Sequence, residues 1–216
     1  MYVPLTSKIP RVPDPLDFDW LAEDRDWPVL ELTVTPADVE RWARLHDDFH
    51  PWYFGPSPWG GPVAPVTIFY YPGQNAFPPR RDFAGVLAAL GLEAHRPIFV
   101  GSTLEAHTRI TDRWRRGERA FVSYRLDIYG QGELVAVSTR TWAFFAAASP
   151  AAQRLPERPS RPPATDPRPP REELEPVHLT LTLERLREFE GPGEDNGHTN
   201  PAIARRQGLP RASRAR

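Results

Sequence analysis

The residues best suited to chemistry lie on one short loop near the end of the sequence. Within residues 193–201 the chain carries His198, with Asp195 three residues and Asn196 two residues before it. A histidine titrates near neutral pH and can exchange a proton, while a carboxylate and a carboxamide can orient its ring and a water molecule. This pattern is typical of a catalytic site in which His198, Asp195 and Asn196 would take part. Asn196-Gly197 also fits an ordinary turn, in which His198 would be an exposed loop histidine.

A second polar cluster follows the first predicted helix. Four potential metal ligands share this stretch, namely His46, Asp47, Asp48 and His50. Two histidines four residues apart on a helix can share a metal ion. However, Pro51 ends any helix at this point and no third ligand is evident, so the sequence favours polar residues at a helix end and no metal site.

Composition limits the classes of protein that fit the sequence. The chain has 216 residues, 40% of them hydrophobic and 11% aromatic, which is enough for a hydrophobic core. The net charge of −1 gives no electrostatic reason to expect nucleic acid or an anionic membrane as a partner. There is no cysteine, which excludes disulfides and thiolate metal sites. We expect a soluble, cytoplasmic protein without a membrane-spanning segment.

Prolines divide the sequence into unequal parts. Nine prolines fall between Pro150 and Pro176, and such a run favours extended backbone over regular structure. We therefore predict an N-terminal extension over residues 1–28 and a folded domain over residues 29–147. A proline-rich linker over residues 148–176 would follow, and then the truncated start of a second domain over residues 177–216.

Both predicted domains begin with the same plan of strand, helix and polar loop. Residues 29–34 alternate as a short strand, after which Thr35 caps a helix with Asp38 as its capping-box acid. Residues 177–181 are again strand-like, and Thr182 caps a second helix.

Only the first copy continues into further elements. Residues 63–71 are strongly apolar and suited to burial as a helix, whereas residues 85–95 fit either a helix stopped by glycine or a strand. Three further segments alternate as strands with glycine-containing turns between them, namely residues 102–112, 119–129 and 133–145.

Four motifs, in this order and at these spacings, resemble the N-terminal half of the MaoC-like double hot-dog dehydratases. They are Asp48-Phe49-His50-Pro51-Trp52-Tyr53, Gly60-Gly61-Pro62-Val63-Ala64-Pro65, Arg96-Pro97-Ile98-Phe99-Val100-Gly101 and Gly132-Glu133-Leu134-Val135-Ala136. The resemblance implies an α+β hot-dog fold, in which an antiparallel sheet wraps around a central helix. It also implies that residues 85–95 form a strand.

The resemblance implies roles for residues in both halves. In the family, the active half carries a D-x-N-P-x-H loop and the other half is usually degenerate. The first loop here has Asp48 for the acid, His50 in place of the amide and Tyr53 where the histidine stands, so residues 29–147 look like the degenerate half. The second loop matches in His198, although Gly193 stands where the family has its acid.

The implied activity is the reversible hydration of an enoyl thioester of coenzyme A or acyl carrier protein, without a redox cofactor or metal. Gly60 and Gly61 would supply oxyanion contacts and, with Tyr53, bind substrate. A homo- or heterodimer through the hot-dog sheets is expected. Five aromatic residues either line an acyl channel or pack in the core, namely Trp42, Trp52, Trp59, Tyr70 and Tyr71. The five arginines from Arg205 to Arg216 either meet phosphates or an acidic carrier protein, or form a solvated tail.

Two alternatives to an active hydratase stay open. In both of them the chain is non-catalytic: it is either an acyl-binding subunit or the heterodimer partner of a catalytic hot-dog dehydratase. A hot-dog thioesterase is disfavoured, because it needs a carboxylate on the central helix and residues 63–71 contain none.

Overall fold

Long antiparallel strands dominate the part of the chain that the structure describes. The computed structural model describes residues 17–21, 27–70, 77, 85–145, 150–159, 180, 182–190 and 200–206. In chain order its elements are β1 (Leu30–Thr33), α1 (Pro36–His46), a 3-10 helix (Pro51–Tyr53), β2 (Val63–Ala64), a second 3-10 helix (Val66–Phe69), β3 (Gly85–Ala94), β4 (Ile98–Phe99), β5 (Thr103–Arg116), β6 (Arg119–Gly130), β7 (Glu133–Phe144), α2 (Pro150–Gln153), α3 (Leu183–Glu190) and α4 (Pro201–Arg206).

The main sheet has five strands in the order β1-β5-β6-β7-β3, and β2 pairs separately with β4. All these pairings are antiparallel. Alternate residues of β6 are buried on one face of the sheet, which identifies the inner face, and they are Ala120, Val122, Tyr124, Leu126 and Ile128. The three strands predicted from residues 102–145 are therefore confirmed.

The β6–β7 turn has the geometry that favours a tight hairpin. Gln131 and Gly132 both have positive φ, at 53° and 79°. Two successive residues with positive φ match the right-handed twist of the flanking strands. The glycine-containing turn predicted here is confirmed, with a non-glycine residue in its first left-handed position.

Helix α1 begins as the sequence predicts and contributes to the buried core. The Asp38 backbone N–H donates to the Thr35 side chain at 3.2 Å, and the Thr35 backbone N–H donates to Asp38 Oδ2 at 3.0 Å. Val39 of this helix belongs to the same buried cluster as Ile68 and Phe69 and the inner-face residues of the sheet. The helix thus joins the core through Val39 and contacts the second 3-10 helix, where Trp42 bonds to Thr67.

The segment with two interpretations, residues 85–95, is a strand along β7. Gly91 lies opposite Thr139, whereas in a helix it would have been the residue that ends the helix. A Cβ atom on Gly91 would approach Thr139 Oγ1 to 2.5 Å, so the glycine permits close strand contact.

The described part of residues 63–71 differs from the predicted helix. Val63 and Ala64 pair with Phe99 and Ile98, and only after Pro65 does a 3-10 helix form. Pro65 has φ −64° and ψ 143°, which is extended backbone, and proline has no N–H to donate. The apolar residues are buried as predicted, but the helical geometry starts later.

The chain divides into two compact units, residues 1–157 and residues 158–216. In the second unit, Thr182 caps α3 as predicted, because its Oγ1 accepts the Arg185 N–H at 3.1 Å. The predicted strand over residues 177–181 lies almost wholly outside the described residues. Among the described residues, no helix has the length and apolar character needed to cross a membrane.

Candidate functional site

The loop after α1 is folded so that its two ends meet. Asp47 ends the helix in the left-handed conformation, with φ 53° and ψ 34°, which short polar side chains tolerate. The 3-10 helix Pro51–Tyr53 then begins at His50, whose Nδ1 accepts the Trp52 N–H at 3.3 Å. This compact turn carries Tyr53 back towards the end of α1.

Asp48 and Tyr53 form a hydrogen-bonded pair at this point. The Tyr53 hydroxyl donates to Asp48 Oδ2 at 2.8 Å. Partial burial of the phenol, the hydrogen bond to Asp48 and the negative charge of Asp48 together raise the pKa of Tyr53 to about 12. The phenol is therefore protonated near neutral pH, where it can donate a hydrogen bond but cannot act as a base.

Exposed aromatic rings surround this pair. Phe49, Phe54 and Trp59 are 58%, 52% and 54% exposed. The Trp52 and Trp59 rings meet edge to face at 5.5 Å, and His50 contacts Trp52 at 4.7 Å between ring centroids. Rings this exposed on a hydrogen-bonded loop are typical of a surface that binds a ligand or another protein.

The aromatic residues expected to line a channel have different surroundings. Trp52 and Trp59 contact each other at the surface, whereas Trp42 is buried and its Nε1 donates to Thr67 Oγ1 at 3.0 Å. Tyr70 lies over the Arg140 guanidinium, and Tyr71 lies outside the described residues.

Gly60 and Gly61 lie in a turn closed by Ser57. The Gly60 N–H donates to the Ser57 carbonyl at 3.0 Å, and the Ser57 hydroxyl donates to the Gly61 carbonyl at 2.6 Å. Gly60 has φ 109°, a conformation that side chains rarely adopt. The turn therefore uses the Gly60 N–H internally, and the oxyanion role of both glycines stays a prediction.

The two histidines of the first polar cluster are engaged with neighbouring residues. His46 Nδ1 lies 2.9 Å from the Trp42 carbonyl oxygen, and its ring stacks on Trp42 at 4.2 Å. His50 caps the 3-10 helix as described above. Within the described ranges, no group of three or more histidine, cysteine and acidic residues could hold a metal ion.

The residues predicted to carry catalysis, His198, Asp195 and Asn196, lie outside the described residues. Asn200, two positions after His198, is the nearest described residue. Its Oδ1 accepts the Ala202 N–H at 2.9 Å and so caps α4. Helix α4 therefore follows this loop directly, and the roles of the three loop residues remain predictions.

Sequence reasoning missed a buried arginine on β7. Arg140 is 1% exposed and faces inward beside Tyr124 of β6. The only sequence signal was its alternation with Trp142 and Phe144, since inner-face positions repeat every second residue along a strand. Val137 is also buried, although on the other face, and Val135, at the register irregularity between β6 and β7, belongs to the core as well, so burial does not alternate cleanly along β7.

Comparison with known proteins identifies the fold. No protein-family model and no curated protein matches the sequence. A solved structure described as a MaoC-like dehydratase is similar over 88% of this chain and 73% of its own, with a TM-score of 0.65 and 22% identity. The MaoC-like dehydratase from Rhodospirillum rubrum is similar over 61% of this chain and 97% of its own, with a TM-score of 0.50 and 22% identity.

A third similar structure is an Archaeoglobus protein described as a monoamine oxidase regulatory protein. It aligns with 63% of this chain and 97% of its own, with a TM-score of 0.53 and 20% identity. At identities of this size the similarity establishes the fold. The chain has the hot-dog fold that these MaoC-like dehydratases share, as the sequence motifs predicted.

Proposed function

We propose that the protein is a MaoC-like hydro-lyase that reversibly hydrates an enoyl thioester of coenzyme A or acyl carrier protein. The observation that carries the proposal is the fold, which this chain shares over 88% of its length with a protein described as a MaoC-like dehydratase. Such a role belongs to fatty acid metabolism, and with it we propose a cytoplasmic location and no redox cofactor or metal.

In this proposal the two halves of the chain have different tasks. His198 acts as the acid/base, and Asp195 and Asn196 position the water. The first hot dog, residues 29–147, shapes the acyl pocket, and Gly61, Gly60 or Tyr53 contacts the thioester. This division is supported by the Asp48–Tyr53 pair, because a phenol with a pKa of about 12 replaces the histidine expected in an active loop.

The catalytic assignment is tested by His198→Ala. We expect crotonyl-coenzyme A hydration to fall by about 100-fold or more, because a positioned acid/base contributes roughly that factor. Asp195→Asn and Asn196→Ala should lower turnover by smaller factors. The matched control is His95→Ala, since His95 is exposed and its Nε2 lies 3.9 Å from Glu93 Oε2. Unchanged turnover in His198→Ala would remove that residue from the mechanism.

A second candidate function is a non-catalytic acyl-binding or partner subunit. It is favoured by the same Asp48–Tyr53 pair, since Tyr53, which stands where the family has its histidine, cannot act as a base near neutral pH. Coexpression with a second hot-dog protein encoded nearby distinguishes the two candidates. Hydratase activity that appears only in the mixture, and that survives His198→Ala, supports the partner role.

We also propose that the chain associates through the free edge of its sheet. Strand β3 has ten residues, and among the residues that the structure describes its one hydrogen-bonded neighbour is β7. Val86 and Leu90 of this strand are each 41% exposed. A long apolar edge strand is a template for pairing with another sheet, and we therefore assign this edge to a second hot-dog unit.

A further inference from the structure

Arg140 is a buried cation whose hydrogen bonds fix another segment of the fold. Its Nη1 donates to the Tyr70 carbonyl at 2.8 Å and its Nη2 donates to the Phe69 carbonyl at 2.9 Å. Its Nε donates to Ser138 Oγ at 3.0 Å. The guanidinium therefore links strand β7 to the end of the 3-10 helix Val66–Phe69.

The geometry of these contacts suits arginine alone. A guanidinium presents several donors in a rigid plane, so that it can reach two successive carbonyls and a hydroxyl of its own strand at once. The same group lies over the Tyr70 ring, 5.5 Å from its centroid. An ammonium group offers donors from a single atom and cannot reproduce this set.

The 3-10 helix is in turn bonded to α1. Trp42 Nε1 donates to Thr67 Oγ1, and Trp42 also stacks on His46 in the last turn of α1. Asp47 and Asp48 follow immediately, and Asp48 accepts the Tyr53 hydroxyl. A continuous series of contacts therefore runs from the sheet, through residues 66–70, to the loop at the candidate site.

A buried guanidinium such as that of Arg140 lowers the stability of the fold unless its hydrogen bonds have a structural purpose. Burying a charged group carries a large desolvation penalty, and an apolar residue of similar size often gives equal or greater stability. Apart from Ser138 and Thr108, the neighbouring inner-face residues are apolar: Ile110 lies in the same cross-strand row as Arg140, and Leu126 lies in the next row. We therefore expect that the hydrogen bonds of Arg140 serve to fix the position of Phe69 and Tyr70.

We propose that Arg140 is a positioning residue of the acyl pocket, which fixes residues 66–70 on the sheet and, through Thr67 and Trp42, sets the loop that carries Asp48 and Tyr53. Its kinetic consequence rests on the proposed hydratase function. Its structural consequence does not, because the described contacts link the segment and the loop whatever reaction the protein performs.

The structural consequence is tested by hydrogen exchange of the full chain, read by mass spectrometry on peptides from each element. In Arg140→Gln we expect amides of residues 66–70, α1 and Pro51–Tyr53 to exchange about tenfold faster or more, with β5 and β6 unchanged. Arg140→Lys should restore part of the protection. Arg125→Gln is the matched control, since this arginine of β6 pairs with Asp127 instead.

Two milder variants test the link if Arg140→Gln does not fold. Thr67→Val removes the acceptor of the Trp42–Thr67 hydrogen bond and nearly keeps the shape of the side chain, whereas Trp42→Phe removes the donor together with part of the ring packing. Both should speed exchange in α1 and Pro51–Tyr53. The double variant should add little to Trp42→Phe alone, because Thr67 has then already lost this hydrogen-bond donor. Unchanged exchange in the loop, or equal acceleration across every strand, would overturn the positioning role.

The kinetic consequence separates positioning from loss of folded protein. We expect Arg140→Gln to raise KM for an acyl thioester about tenfold with kcat per folded molecule nearly kept, and Arg140→Lys to recover part of the affinity. A lower kcat at unchanged KM would contradict this assignment. If wild type has no hydratase activity, the proposed function fails while the exchange pattern still decides the role of Arg140.

Discussion

At the scale of single residues, one replacement changes what the first loop can do. Tyr53 stands five positions after Asp48, the separation at which the resembled family has its acid and histidine, and the two side chains do meet. The hydrogen bond is thus kept while the acid–base capacity is not, because the phenol stays protonated far above neutral pH. The pair is suited to binding or to holding the loop.

The Asp48–Tyr53 hydrogen bond predicts that wild type and Tyr53→Phe differ in how their stability changes at alkaline pH. Tyr53 titrates at about 12 in the folded protein, against 10.0 for an unperturbed tyrosine, so between these values the folded state keeps a proton that the unfolded chain has lost. Its contribution to stability is therefore present below pH 10 and is lost as the pH rises to about 12. Urea unfolding should show a steeper loss over this window in wild type than in Tyr53→Phe.

Tyr129→Phe provides the comparison for this experiment. Tyr129 lies on β6, where its ring meets His107 edge to face. Equal pH dependence in wild type and Tyr53→Phe would mean that the Asp48–Tyr53 hydrogen bond does not persist in solution.

At the scale of elements, the local sequence specifies where the strands and helix begin. The capping box at Thr35 and the turn at Gln131–Gly132 use only neighbouring residues, and both form as expected. The same turn contains one unfavourable residue. Gln131 has a left-handed φ of 53°, a conformation that costs free energy for glutamine.

Gln131→Asn should therefore stabilise the protein. Asparagine followed by glycine is the preferred pair for a hairpin turn with two positive φ values, so we expect a gain of about 0.5 kcal/mol in the free energy of unfolding. Gln131→Ala is the informative partner variant and should be neutral or destabilising. Chemical denaturation measures both, and a gain in the alanine variant equal to that of asparagine would contradict the backbone explanation.

At the scale of the whole molecule, edge strand β3 of the sheet is suited to pairing with a second protein. The apolar β3 contains a single charged residue, Glu93, and lies at the edge of the five-stranded sheet. Lysines and prolines commonly protect such edges, and β3 has neither. An edge of this kind is consistent with a subunit that completes its site with a second hot-dog unit.

Val86→Lys is expected to weaken this association. A charged side chain on an edge strand opposes pairing with a second sheet, so light scattering coupled to size exclusion should show a shift from dimer towards monomer. Glu31→Lys serves as the matched control, because it places a lysine on β1 at the opposite edge. A monomeric wild type, or an equal shift in both variants, would reject the β3 interface.

The sequence by itself determined the features that depend on near neighbours. The cap at Thr35, the alternation of β5 to β7 and the glycine-containing turns follow from backbone sterics and local hydrogen bonds. The four motifs also predicted the hot-dog fold, which the similar structures confirm.

Only the tertiary structure decided the features that depend on distant partners. The sequence of residues 85–94 fits either a helix or a strand. Hydrogen bonding to β7 makes it a strand, in which Gly91 lies against Thr139. Arg140 looked like any surface arginine because its acceptors, the carbonyls of Phe69 and Tyr70, lie about seventy residues away in the chain. The burial of Arg140 and the pairing of β3 with β7 both depend on atoms that are distant in the sequence and meet only in the folded protein. No local pattern could therefore specify either one.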